Sequence, residues 1–255
     1  MADNENEETM YPVLLSIGRV NIYTHGLMIA LGAAIGGAVV YYLAKRRNLN
    51  TSTLFDTIVY SLLGGLVGAR ILYIILYPHQ FNGILDMLAI WYGGLVSFGG
   101  IAIGLFIAWL ILKSKNEPVY KWFDIGIIGL LAGWAVGRIG CLLNGDSVGI
   151  VSLSKIAVWG RIPTQIFESI WSLAVAGICF WLLMKKKTLP SGLIFWLGLG
   201  GYAFGRFIID FFRDENKIFL SLRLGQIGSL SLFILAFIVI FFMMRTEKGS
   251  QNGDY

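Results

Sequence analysis

Residues 22–43 read IYTHGLMIALGAAIGGAVVYYL, a run of 22 positions without Lys, Arg, Asp or Glu. A hydrocarbon core about 30 Å thick needs about 20 apolar residues in a helix, so this run is long enough to cross one. Six further runs follow: Leu54–Tyr77, Leu88–Leu112, Trp122–Leu143, Ile166–Met184, Leu193–Phe212 and Gln226–Met244. Composition points the same way. Of 255 residues 56% are hydrophobic and 14% charged, and the mean hydropathy is +0.72, whereas soluble domains carry roughly 25% charge. A disordered chain, a secreted disulfide scaffold and an ordinary cytosolic enzyme are excluded. Lipid leaves open backbone groups unsatisfied, so spanning helices must pack together. The expected fold is an all-α integral membrane protein, a seven-transmembrane helix bundle. Residues 1–20 are the expected extracytoplasmic tail, 21–244 the membrane domain and 245–255 a cytoplasmic tail.

Charge distribution predicts orientation. Lys45, Arg46 and Arg47 follow the first span, Lys113, Lys115 and Lys121 the third, Lys185, Lys186 and Lys187 the fifth, and Arg245 and Lys248 the last. Basic residues mark cytoplasmic ends, so the N-terminus is expected outside and the C-terminus in the cytoplasm. The sixth loop, with Arg213, Lys217 and Arg223, breaks this pattern. The formal charge of +5 is then mostly a matter of topology, not of nucleic-acid binding. Residues 1–10 are acidic and lack the basic start of a signal peptide. Cys141 and Cys179 form no CxxC pair, so neither a disulfide nor a metal site is expected.

Ionisable residues at membrane depth are costly and usually face an interior cavity. They are Arg70, Arg138, Glu168, Arg206 and Asp210. Tyr202, Arg206, Asp210 and Arg213 recur at helical spacing and line one side of the sixth span. One reading is an Arg206–Asp210 pair that locks the helices. The other is a polar wall for a phosphate-bearing lipid headgroup, since guanidinium matches phosphate with two parallel bonds. Two Gly-Gly pairs, Gly93-Gly94 and Gly99-Gly100, fall inside the third span and predict a break, a re-entrant turn or tight packing, because each Gly costs up to about 1 kcal/mol in a helix. Gly64, Gly65 and Gly68 fit small-residue helix packing.

Five pieces, in order, resemble the bacterial prolipoprotein diacylglyceryl transferases. Gly137-Arg138-Ile139-Gly140-Cys141-Leu142-Leu143-Asn144-Gly145-Asp146-Ser147-Val148-Gly149 is similar to G-R-x-G-N-F-x-N-x-E-x-x-G. Arg161-Ile162-Pro163-Thr164-Gln165-Ile166-Phe167-Glu168 is similar to R-H-P-[ST]-Q-L-Y-E, and Tyr202 to Arg213 resembles Y-G-x-x-R-F-x-x-E-F-x-R. Leu224-Gly225-Gln226-Ile227-Gly228-Ser229 resembles M-G-Q-x-L-S, and His25-Gly26-Leu27-Met28 with Gly68-Ala69-Arg70 fits the first two spans. The resemblance implies an enzyme of the bacterial plasma membrane. It would move the diacylglyceryl group of phosphatidylglycerol to the lipobox cysteine of a prolipoprotein signal peptide, releasing glycerol phosphate, the first step of lipoprotein maturation. It implies Arg138 and Arg206 as the phosphate-holding catalytic pair. Arg70, Asn144, Asp146, Tyr202, Asp210, Gln165, Glu168, Gly99 and Gly100 would bind substrate. No metal or other cofactor is expected, and the partners are the two substrates and membrane lipids.

The chain departs from the pattern locally. Phe98 stands where relatives carry His or Tyr, Cys141 replaces the signature Asn, Asp146 and Asp210 replace Glu, and His25 replaces Tyr. His25 is either a substitute base, since imidazole titrates near neutral pH, or an interfacial polar residue. The alternatives to the transferase are a non-catalytic lipid-binding relative and a small membrane transporter.

Overall fold

The computed structural model describes residues 13–17, 20–81, 83–89, 93–186, 189–219 and 222–251. The elements in chain order are β1 (Val13–Ile17), β2 (Val20–Tyr23), α1 (Thr24–Arg46), α2 (Ser52–Leu76), α3 (Ile84–Leu88), α4 (Ser97–Ser114), α5 (Val119–Asn144), α6 (Thr164–Lys185), α7 (Leu193–Ile209), β3 (Lys217–Phe219), β4 (Leu222–Arg223) and α8 (Leu224–Gln251). Two short antiparallel hairpins, β1–β2 and β3–β4, lead into α1 and α8. Among the described residues six helices are long and apolar enough to cross a membrane: α1, α2, α5, α6, α7 with its 3-10 continuation to Phe212, and α8. The shorter apolar helix α4 completes the seven expected spans. The chain is a multi-pass membrane protein of the all-α class. The acidic segment 1–10 lies outside the described residues.

The chain falls into two compact units: Leu43–Trp122, and the remainder up to Tyr42 and from Phe123 onward. In the first, the third span is shorter than expected. The helix begins at Ser97 instead of Leu88, after an irregular stretch from Gly93 to Val96. Gly93 and Gly94 have φ of +85° and +74°, a region that side chains with a Cβ rarely enter, so the first Gly-Gly pair is the break. The second pair is packing. A Cβ on Gly99 would lie 2.5 Å from the Gly68 carbonyl oxygen, and one on Gly100 would lie 3.0 Å from that of Gly65. Glycines on both helices therefore let α2 and α4 touch backbone to backbone. Arg70, buried on α2, is wholly engaged within this unit. Its five N–H groups donate to the carbonyls of Asp86, Met87, Ala89, Gly93 and Gly94 at 2.6–3.1 Å. That cradle satisfies the irregular backbone which lipid cannot.

In the second unit α1 crosses α5 the same way. Gly36 faces the Gly129 carbonyl oxygen and Gly133 faces that of Gly32. Gly133→Leu would drive a side chain into backbone that has no rotamer to yield. It is expected to cost about 1–3 kcal/mol, read as a lower thermal midpoint in detergent; an unchanged midpoint would place the crossing elsewhere. The Asp124 carboxylate on α5 accepts the backbone N–H groups of Gly192 and Phe195 at 2.7 and 2.8 Å, capping the start of α7, where orphan donors and the positive dipole end favour an anion. Trp171 on α6 donates to the Gly201 carbonyl of α7 at 2.8 Å. The end of α5, the start of α6, the end of α7 and the start of α8 share hydrogen bonds and ion pairs, so polar residues at those four termini meet.

Candidate functional site

Three helices, α5, α6 and α7, converge on one carboxylate. Glu168, in the first turns of α6, is 1% exposed. Its Oε2 accepts from Arg138 Nη2 and, at 2.8 Å, from Arg213 Nη2; its Oε1 accepts from Arg206 Nη1 and, at 3.2 Å, from the Tyr202 hydroxyl. Arg138 lies almost two turns before the end of α5, and Tyr202 and Arg206 sit one turn apart on α7. The sequence spacing of Tyr202, Arg206, Asp210 and Arg213 thus does form one wall, with Glu168 facing it from the next helix.

Asp210 is fully buried. Its carboxylate lies 3.2 Å from Arg206 Nε and 3.3 Å from Arg213 Nε, close enough for ion pairing. Neither Asp210 oxygen nor Arg213 Nε makes a hydrogen bond among the described residues. Gly225, in the first turn of α8, leaves the room: a Cβ there would lie 2.5 Å from Asp210 Oδ2. Arg223 donates through Nη1 to the Asp210 carbonyl at 2.7 Å and through Nε to the Glu215 carbonyl at 3.1 Å, while its backbone N–H reaches Gln226 Oε1 at 3.0 Å. Arg213 also holds Glu215 at 3.0 Å. Hence Arg213 and Arg223, which break the charge pattern of the loops, are buried partners of this cluster and not surface charges. Taken together, Arg138, Arg206 and Arg213 pair with three carboxylates, Glu168, Asp210 and Glu215, while Arg223 adds a fourth guanidinium held by backbone carbonyls. Arg138 Nε is a buried donor without a hydrogen bond among the described residues. Four guanidinium groups against three carboxylates leave positive charge in excess, the condition under which an anionic ligand is welcome.

A second group adjoins the first through Arg138, whose Nη1 lies 3.4 Å from Cys141 Sγ. After α5 the chain turns at Asn144-Gly145-Asp146. Asn144 donates to Asp146 Oδ2 at 2.7 Å, and Gln165 donates to the Asp146 carbonyl at 2.7 Å. Asp146 Oδ2 stands 3.6 Å from His25 Nδ1, in the first turn of α1. The structure thus brings together nine of the expected site residues: His25, Arg138, Asn144, Asp146, Gln165, Glu168, Tyr202, Arg206 and Asp210. Arg70, Gly99 and Gly100 belong to the other unit, in the backbone cradle and the α2–α4 contact. The Phe98 side chain lies outside the described residues. Arg213 and Arg223 were not expected as site residues, although the sixth-span spacing already put Arg213 on the right face.

The model of the prolipoprotein diacylglyceryl transferase family matches residues 12–242. The chain belongs to that family. It is similar to proteins named phosphatidylglycerol–prolipoprotein diacylglyceryl transferase from several bacteria. One from Clostridium botulinum (strain Langeland) is 27% identical over 254 residues, covering 94% of this chain and 99% of the relative. One from Streptococcus uberis is 29% identical over 93% and 96%, and one from Trichormus variabilis 30% identical over 86% and 85%. The match runs nearly end to end, so this family member carries every helix that contributes to the charged cluster.

Proposed function

We propose that this protein transfers the diacylglyceryl group of phosphatidylglycerol to the lipobox cysteine thiol of prolipoproteins. The observation that carries the reading is that Arg138 and Arg206, from different helices, point at one place, the Glu168 carboxylate. A phosphate arriving beside Glu168 meets guanidinium groups that this carboxylate already orients, so they are in place as charge develops on the leaving oxygen. The substrate thiolate attacks the glyceryl carbon, a carbon–sulfur bond forms, the carbon–oxygen bond to phosphate breaks, and its electron pair leaves with glycerol phosphate. Arg138 and Arg206 hold the phosphate. Glu168, Asp210 and Tyr202 orient those arginines, and Asn144 and Gln165 fix Asp146. His25, beside Asp146, takes the thiol proton. Arg70, Gly99 and Gly100 shape the α2–α4 unit. The site belongs to a bacterial plasma-membrane protein with its N-terminus outside and its C-terminus cytoplasmic, and lipid and signal peptide meet in a cavity within the 21–244 domain.

The deciding experiment supplies the purified protein with phosphatidylglycerol and a lipobox peptide and looks for the thioether product by mass. Product is expected. Lipid binding without product would leave a non-catalytic relative, and neither would retire the reading. In the same assay His25→Phe is expected to lower turnover at least tenfold, within the range general-base catalysis supplies; an unchanged rate would remove His25 from proton transfer.

A further inference from the structure

His25, Cys141 and Asp146 place an imidazole nitrogen, a thiol sulfur and a carboxylate oxygen within 4.8 Å of one another. The first comes from the opening turn of α1 and the second from the end of α5, while the third comes from the turn after α5. The ion pairs of the charged cluster involve none of these three side chains. Cys141 is buried and free, and His25 Nδ1 is a buried nitrogen with no hydrogen-bond partner among the described residues. This nitrogen faces a carboxylate oxygen at 3.6 Å with a thiol alongside, so three atoms able to bind a metal ion lie together.

We infer that these three side chains form a binding site for a thiophilic divalent cation of the zinc class. Sulfur, imidazole nitrogen and carboxylate oxygen are the three donor types such an ion takes, and three protein donors leave the fourth tetrahedral position open. The sulfur selects against magnesium and calcium, which prefer all-oxygen shells. Donors about 2.0–2.3 Å from a tetrahedral ion stand roughly 3.5 Å apart, so an inward shift of about 1 Å closes the site. His25 and Asp146, whose side chains are 36% and 48% exposed, have the freedom to make it and leave the ion a way in. Arg138 is the cation nearest the sulfur, but its charge is already engaged by Glu168. Binding displaces the thiol proton and forms the metal–sulfur bond. The regulatory consequence rests on the transferase reading: an ion on His25 withdraws the proposed proton acceptor, so transfer slows when the ion is bound and recovers when a chelator removes it.

The test titrates the purified protein with Co2+ and reads the sulfur-to-cobalt charge-transfer absorption. A one-to-one rise is expected, retained in Cys179→Ser, lost in Cys141→Ser, and needing at least tenfold more cobalt in His25→Gln. No absorption, or one that survives Cys141→Ser, overturns the site. Zn2+ added to the transfer assay should slow the wild type and leave Cys141→Ser unaffected; equal slowing in both overturns the regulatory role. The spectrum needs no lipid substrate, so a failed transferase assay leaves the metal result standing by itself.

Discussion

Glu168→Gln is expected to lower the thermal midpoint by on the order of 10 °C, followed by tryptophan fluorescence in detergent. The wild-type carboxylate takes hydrogen bonds from three guanidinium groups and the Tyr202 hydroxyl while almost wholly buried. The amide keeps the shape but supplies no negative charge. Arg138, Arg206 and Arg213 would then repel one another with only Asp210 and the partly exposed Glu215 to offset them. Removing one partner of a buried ion pair costs about 3–5 kcal/mol, and in a chain of this size about 1 kcal/mol moves the midpoint by a few degrees. The double variant Glu168→Gln with Arg213→Met deletes one of the stranded cations and is expected to regain part of the loss. A midpoint within a degree or two of wild type for Glu168→Gln would mean that the cluster does not hold these helix ends together.

Arg138→Ala should behave in the opposite way. Glu168 keeps Arg206, Arg213 and Tyr202, so the fold loses little and the protein still inserts. Transfer, however, is expected to fall at least 100-fold. That is about 3 kcal/mol, the scale of losing one preorganised group at a developing negative charge. Arg138→Lys should not restore it, because an ammonium lacks the paired planar donors that engage phosphate. The contrast is the test: Glu168→Gln strikes stability first, Arg138→Ala strikes turnover first. An Arg138→Ala protein that matures lipoproteins at the normal rate would remove the phosphate-holding role.

Most of the fold was legible because hydropathy and helix length are local properties. The uncharged run at 22–43 and its six successors correspond to helices, and the Gly-Gly pairs at 93–94 and 99–100 marked a break and a packing seam. The third span starts later than hydropathy suggests because apolar residues near 88 are equally suited to a short α3 followed by irregular backbone. Arg213 and Arg223 looked like loop charges, since a cation in a loop reads the same whether water or a buried carboxylate receives it. Only tertiary structure separates the two. Cys141 appeared as a departure from a signature and His25 as another. More than a hundred positions apart in sequence, they become neighbours through the glycine-lined crossing of α1 and α5, which no local pattern encodes.

The shortened start of α4 reaches beyond the protein itself. At 18 residues and about 1.5 Å per residue, α4 is about 27 Å long, whereas the hydrocarbon of a typical bilayer is about 30 Å thick. Beside that helix the two leaflets must draw together by a few ångströms, or the helix must stand nearly upright with its neighbours tilted. The Gly93–Val96 stretch precedes that helix, with its first carbonyls held by Arg70. Where the bilayer thins to match α4, acyl chains would be compressed and headgroups drawn inward beside it.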